Sequence, residues 1–345
     1  MTAIAQQSPP APRGQADEDV GPALPAPRGP LSAVLFERLV RPAGAVPLPD
    51  RIGDDPLTGE DLHVALYACY ELHYRGLAGV ADGWEWDPAL LAFRRRLETA
   101  FEEALRAEAV SDDGVDPAEV GDRLAEVVSG DGPSLSAWME EYGTLEQFRE
   151  FAIHRSAYQL KEADPHTWAL PRLWGSPKSA IVEIQADEYG EGVPGQSHAE
   201  LFAATMTALG LDTTYGAYVD RLPGTTLATV NLVSMFGLHR RLRAALVGHL
   251  AAFEMTSVTP MSRYSRALGR LGLGSQARRF YDVHVEADVR HAAIAGTAMA
   301  GGLAAQQPAL AADILFGARA LSAVEGRLTA HLLDSWARER SSLRP

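Results

Sequence analysis

The stretch YDVHVEADVRHAA places His284, Asp288 and His291 at positions i, i+4 and i+7. At about 100° per residue these three side chains share one narrow stripe of a helix. Two imidazoles and a carboxylate aimed at one small volume offer the nitrogen and oxygen ligands that suit a borderline divalent metal such as iron. The alternative is a solvated polar face. The neighbours Val283, Val289, Ala292, Ala293 and Ile294 are mostly apolar and predict a largely buried helix instead. A buried charged triad needs partners, and a metal ion is one.

A second group lies in VEIQADEYGEGVPGQSHAELF. Glu188 precedes a Gly/Pro-rich break and His198 follows it. Ala180, Ile181, Val182 and Ile184 make the preceding segment a core helix, where an unpaired glutamate is costly. Glu183 reads as a structural or hydrogen-bonding residue. A third group lies in ALYACYELHYRGL. Its Glu71 and His73 are two residues apart and point to different helix faces, so only one can join a site. Together these segments supply histidines and carboxylates from three helices, the material from which bundle cores build di-iron sites. His63, His154, His166, His239, His249 and His331 read as surface or packed residues.

The elements that must position these groups are helical nearly everywhere. Helical periodicity predicts helices over Leu57–Arg75, Pro88–Glu108, 117–128, 134–161, Ala199–Leu209, Leu227–Phe253, Arg278–Met299 and Ala309–Arg340. Hairpin signals are nearly absent, so the fold class expected is all-α. Residues 1–30, rich in Pro, Ala and Gln, are expected to be a disordered tail, with one domain over 31–345. The net charge of −14 argues against nucleic acid as a partner. No apolar run is long enough to span a membrane. The single cysteine, Cys69, and the lack of a secretory leader lead us to expect a reducing, cytoplasmic setting.

These residues resemble the haem-oxygenase-like di-iron oxidases, also described as iron-containing redox enzymes. The resemblance covers roughly 57–340. It is carried by LKEADPHTWALPRLWG, EIQADEYGEG followed by His198, FEMTSVTP, and the His284, Asp288, His291 spacing. It implies a haem-oxygenase-like helical bundle of seven helices. It also implies a ligand set of Glu71, Glu188, His198, His284, Asp288 and His291, and on that ground Glu71 is preferred to His73. Two Fe(II) ions and O2 follow from it, with a small-molecule substrate and an external electron donor in some reactions. The substrate classes implied are amines, amino acids or fatty acids, oxidised by N-oxygenation or carbon–carbon cleavage in natural-product biosynthesis. Some N-oxygenating relatives carry an extra carboxylate three residues before the histidine of the second helix. Here that position is Gly195, which disfavours N-oxygenation. A homodimer is compatible with this reading.

Two other readings compete. A haem-binding oxygenase would use His73 or His63 as the axial ligand, and would leave the His284 triad unexplained. A metal-free binding protein or hydrolase on the same fold would need a nucleophile. Cys69 is the only thiol, and its apolar helix predicts a buried, inert side chain.

Overall fold

Helix ends explain most of the architecture. The computed structural model describes residues 21–47, 52–112, 114–130 and 132–345. The α-helices among them are α1 (Pro30–Leu39), α2 (Glu60–Glu71), α3 (Pro88–Glu108), α4 (Val120–Val128), α5 (Leu135–Glu141), α6 (Leu145–Gln159), α7 (Asp164–Thr167), α8 (Gly175–Glu188), α9 (His198–Ala208), α10 (Gly224–Leu238), α11 (Arg243–Arg270), α12 (Ser275–Ile294), α13 (Gly302–Gln306) and α14 (Ala311–Ala337). Among the described residues the one extended contact is an isolated bridge between Ala23 and Ala78. The all-α expectation holds. Several of these helices are only a turn or two long, which is why they outnumber the seven expected.

Caps set the starts of the long helices. Asp87 accepts from the backbone N–H groups of Ala89 and Leu90 ahead of Pro88 and opens α3. Thr144 and Gln147 form a reciprocal capping box on α6, as Ser197 and Glu200 do on α9. The Asp61 carboxylate of α2 caps α1, accepting from Leu31 N and Ser32 N at 2.8 Å each.

Two expected helices are divided. The segment 134–161 breaks at Tyr142–Gly143, where Arg270 binds the freed carbonyls of Met139 and Gly143 and Thr144 restarts the helix as α6. The segment 227–253 stops at Leu238 and resumes at Arg243. The Arg172 guanidinium takes the carbonyls of Gly237 and Leu238, and His239 turns away to Glu98 at 3.0 Å. Apolar periodicity runs through both breaks, so it does not reveal them; a distant arginine satisfies the exposed carbonyls. The helix expected over 278–299 is α12, which widens into a π-helix over Ala295–Gly301.

The tail expected over 1–30 is only partly within the described residues. Residues 1–20 lie outside them. Residues 21–29 are pinned to the body: Arg28 donates to Glu60, Leu222 O and Val219 O, each at 2.7 Å, and Ala26 N donates to Asp220. Composition alone does not foresee an arginine held by partners from two distant parts of the chain.

Long helices α11 and α14 cross in close antiparallel contact at the centre of the core. Gly248 faces the Ile314 carbonyl and Gly317 faces the Ala245 carbonyl. A Cβ at either glycine would sit 1.8 and 2.0 Å, respectively, from those oxygens. Only hydrogen allows this approach. Gly248→Ala or Gly317→Ala should therefore cost at least the ~1–3 kcal/mol typical of overpacking, because backbone on the facing helix must move. Urea denaturation followed by circular dichroism measures the loss; an unchanged midpoint would contradict this crossing.

Candidate metal centre

Glu188 is the last residue of α8 and His198 the first of α9. The chain between them reverses through Gly190, at φ +62°, and Glu191, at φ 54°. A Cβ on Gly190 would lie 2.4 Å from the Gln196 carbonyl carbon, so the turn closes only around glycine. The reversal brings His198 Nδ1 to 2.8 Å from Glu188 Oε2. Glu162 follows the end of α6. The next residue, Ala163, sits at φ 74°, a strained backbone for a residue with a Cβ. Its carbonyl accepts from Gln185 Nε2 of α8 at 3.2 Å, which ties this turn to the helix bearing Glu188.

The α12 stripe faces them. His284, Asp288 and His291 are at most 4% exposed, whereas Val289 is 66% exposed. The expectation of a largely buried helix is thus corrected: over 282–294 only the polar stripe is fully covered. That strengthens the case for a partner, because the polar face is the buried one. His284 Nε2 is 3.7 Å from Glu162 Oε1. Glu254 of α11 closes the far side, its Oε2 3.4 Å from His291 Nδ1.

The ligand atoms form two compact groups that share one residue. Glu162, Glu188, His198 and His284 form one; Glu188, Glu254 and His291 form the other, and within each group the atoms lie within 4.8 Å of one another. Asp288 lies between them, with its Oδ1 3.6 Å from His291 Nδ1. A cavity of about 30 Å³ at this point is bordered by Glu162, Glu188, Glu254, His284 and Asp288.

The outer nitrogens of two histidines are already committed. His284 Nδ1 lies 2.7 Å from the Phe280 carbonyl, to which it can only donate, so Nε2 faces the cluster and is the nitrogen that can give its lone pair to a metal once its proton is displaced. His291 Nε2 is held by Asp187 at 2.6 Å, leaving Nδ1 toward Glu254 and Asp288. Asp187 is steadied in turn by Arg290 at 2.6 Å. Carboxylates and carbonyls that fix the far side of an imidazole are characteristic of metal-binding histidines.

The inward-facing atoms lack hydrogen bonds. Glu162 Oε2, Glu188 Oε2, both Asp288 oxygens, His198 Nδ1 and His291 Nδ1 are buried without a partner. Glu188 and His198 approach closely, yet they are not aligned to bond to each other. They converge instead, as two donors do on a third atom. Burying such oxygens without a donor is costly, and a divalent cation among them removes that cost. The residues fit a metal.

The charges agree. Burial lowers the affinity of His284 for its proton, but Glu162, Glu188 and Asp288 more than reverse this and raise its pKa to about 10. His291, opposed by burial but surrounded by Asp288, Glu254 and Asp187, is likewise raised to about 10. Burial, reinforced by Glu188 and Asp288 against the pull of His291, raises Glu254 to about 7. Without a metal, imidazolium protons supply the positive charge that the carboxylates demand.

Five of the six residues read from the sequence meet here: Glu188, His198, His284, Asp288 and His291. Glu71 does not. Its Oε2 accepts from Lys161 Nζ at 2.9 Å and its Oε1 from the Tyr215 hydroxyl at 2.6 Å, in a buried pair. Lys161 Nζ also lies 4.1 Å from the centre of the Tyr74 ring. Glu71 is satisfied by a cation of its own, which is the physical reason it is not drawn to the cluster. Its place is taken by Glu162 and Glu254, both within the stretches LKEADPH and FEMTSVTP that carry the resemblance. Nothing in their immediate neighbours marks them as ligands, since Glu162 stands among Lys161, Asp164 and His166 and Glu254 precedes Thr256 and Ser257; the signal available was that each lies in a stretch that carries the resemblance. The haem alternative fails on the rings. His73 lies between Glu85, 3.1 Å from Nδ1, and Arg94, 2.6 Å from Nε2. His63 lies between Pro56 O, 3.0 Å from Nε2, and Asn231, 3.2 Å from Nδ1. Cys69 is buried, and burial pushes its thiol up to about 12, so it is no nucleophile.

Two outcomes test this geometry. Divalent metal must displace the imidazole protons, so titrating metal into the protein at neutral pH should release about two protons, seen by calorimetry in buffers of different ionisation heat. A folded-state histidine pKa raised to about 10 stabilises fully below the unfolded value of 6.5, and this support is lost as pH rises through 10. Glu254, raised from 4.5 to about 7, acts with the same sign in its lower window. The melting temperature of metal-free protein should therefore fall with rising pH relative to the metal-loaded form; parallel curves would refute the cluster. Separately, Glu71→Gln should destabilise the fold, toward the ~3–5 kcal/mol of a broken buried pair, yet leave metal stoichiometry unchanged. Glu254→Ala should lower stoichiometry. Metal analysis of the purified variants distinguishes the two.

A comparison with curated proteins finds no match. Among solved structures, a CADD-like protein of unknown function from Nostoc punctiforme shares 15% identity at a TM-score of 0.49, covering 65% of this chain and 96% of its own. A family model described as iron-containing redox enzyme matches residues 149–326, a span that holds Glu162, Glu188, His198, Glu254, His284, Asp288 and His291. That span is just over half of the chain. The bundle is of the haem-oxygenase-like kind, and the chain belongs to the family of iron-containing redox enzymes.

Proposed function

We propose that this protein is an O2-dependent oxidoreductase that works with two Fe(II) ions and oxidises a small organic molecule. One observation carries the reading: two groups of buried ligand atoms share Glu188, and inward oxygens of Glu162, Glu188 and Asp288 have no hydrogen-bond partner. Glu162, Glu188, His198 and His284 would hold one ion. Glu188, Glu254 and His291, with Asp288 beside them, would hold the other. The four carboxylates carry as much negative charge as two divalent ions carry positive, so the buried set is neutral when filled.

When bound, a pair of ferrous ions with open positions supplies the electrons and the Lewis acidity that dioxygen chemistry requires. The protein's part is geometry and shielding. Phe280 O and Asp187 fix which nitrogen each imidazole presents. Glu188 lies where one carboxylate can serve both groups. Phe253, Met261 and Tyr158 line the small cavity and keep bulk water from it. The π-helix that follows α12 packs against α8, so the two ligand-bearing helices meet where the backbone hydrogen bonding is irregular. The partners in this reading are a small-molecule substrate and an external electron donor, and the substrate classes kept are amines, amino acids and fatty-acid-like molecules.

The test is anaerobic loading with Fe(II) followed by exposure to oxygen in a closed electrode cell. The expected result is about two irons per chain, as the two ligand groups would hold, and oxygen uptake that depends on them. His284→Ala and Asp288→Ala should each abolish the uptake while circular dichroism shows the helices intact. Undiminished uptake in both variants would end this reading, as would protein that takes up no iron.

A further inference from the structure

Beside the metal cluster lies a second and larger cavity, of about 260 Å³. The two share Phe253, Ser257 and Met261 as a common wall. Phe280 links them from the other side: it lines the larger cavity, and its ring centroid lies 4.5 Å from that of His284. Phe151, Phe202 and Tyr264 cover much of the remaining surface. On the scale by which an apolar void of ~150 Å³ takes up benzene, this space holds about ten non-hydrogen atoms. A long acyl chain does not fit, so the chamber narrows the substrate classes proposed above by setting fatty-acid-like molecules aside.

The polar groups on the wall narrow the chemistry. Its two full charges, Arg155 and Glu325, satisfy each other through paired hydrogen bonds of 2.8 and 2.7 Å. They leave no free counter-charge for an ionic guest, and a buried ion without one is costly. Two polar atoms remain unpartnered: Gln159 Oε1, which can only accept, and the Tyr281 hydroxyl. Both residues are at least nine-tenths buried.

We infer that this cavity is the substrate chamber, and that it takes a compact, ring-bearing or branched apolar molecule with one uncharged hydrogen-bonding group, such as a phenol or a neutral amine. This rests on the function proposed above for the adjoining cluster. The chamber presents the guest to the ligand cluster across the Phe253 and Phe280 wall. Gln159 and Tyr281 orient its polar group.

Binding is read by calorimetry on the metal-free protein, so the chamber stands or falls independently of iron uptake, which metal analysis of the same samples reports. The probes are β-naphthol, naphthalene, β-naphthoate, phenylalanine and decanoate. β-Naphthol should bind most tightly. Gln159→Leu, which removes a buried polar group rather than packing, should weaken β-naphthol about tenfold, the worth of one hydrogen bond, and leave naphthalene unchanged. Ser322→Phe, which fills the space from the partly exposed face of α14, should abolish binding of both. The inference is overturned if wild-type protein binds no β-naphthol. It is equally overturned if the naphthoate, phenylalanine or decanoate binds more tightly, or if Ser322→Phe binds as the wild type does.

Discussion

Glu162, Glu188, Glu254 and Asp288 are buried at one point with too few hydrogen-bond donors to satisfy them. Everything else at the centre of the molecule is arranged around that deficit. Carboxylates withdrawn from water must be neutralised by protons, by cationic side chains or by a metal. Among the described residues no lysine or arginine reaches into this cluster. The imidazoles of His284 and His291 hold protons far above their usual range for that reason, and they do so with nitrogens whose far sides are already fixed. A site so built could hold metal ions in place of those protons.

Glu71 shows the same physics with the opposite outcome. It too is a fully buried glutamate on a core helix, and from sequence it is indistinguishable from Glu188. The difference is Lys161, whose ammonium reaches it at 2.9 Å among the rings of Tyr67, Tyr74 and Tyr215. A point charge beside the carboxylate, with a tyrosine hydroxyl on its other oxygen, completes its needs and removes it from metal chemistry. Lys161 and Glu162 are adjacent in the chain. One turn thus neutralises a carboxylate on α2 and sends its own carboxylate to the cluster.

Irregular backbone adjoins the point where the ligands converge. The left-handed residues Ala163 and Glu191 and the π-helix after Ile294 lie next to Glu162, Glu188 and the α12 stripe. Regular helices place side chains along their flanks. Bringing a helix end, a helix start and a turn residue to one point requires departures from regularity, and these carry strain that the surrounding core sustains. The close crossing of α11 and α14 through Gly248 and Gly317 belongs to that rigid support, and α11 is also the helix that carries Glu254.

The sequence by itself determined whatever is local. The all-α class follows from apolar periodicity and the α12 stripe from the spacing of His284, Asp288 and His291. Glu188 and His198 flank a glycine break that is legible in the sequence, but it was the resemblance to iron-containing redox enzymes that marked them as a pair. Tertiary structure alone decided which distant carboxylates join them. Glu162 and Glu254 come from turns and helices far along the chain, and the exclusion of Glu71 depends on a lysine 90 positions away. It also decided that the apolar run from Leu227 to Phe253 is two helices, because Arg172 caps the break from outside it. Periodicity reports which face of an element is buried; it does not report what that face meets, and charge neutralisation is settled by what it meets.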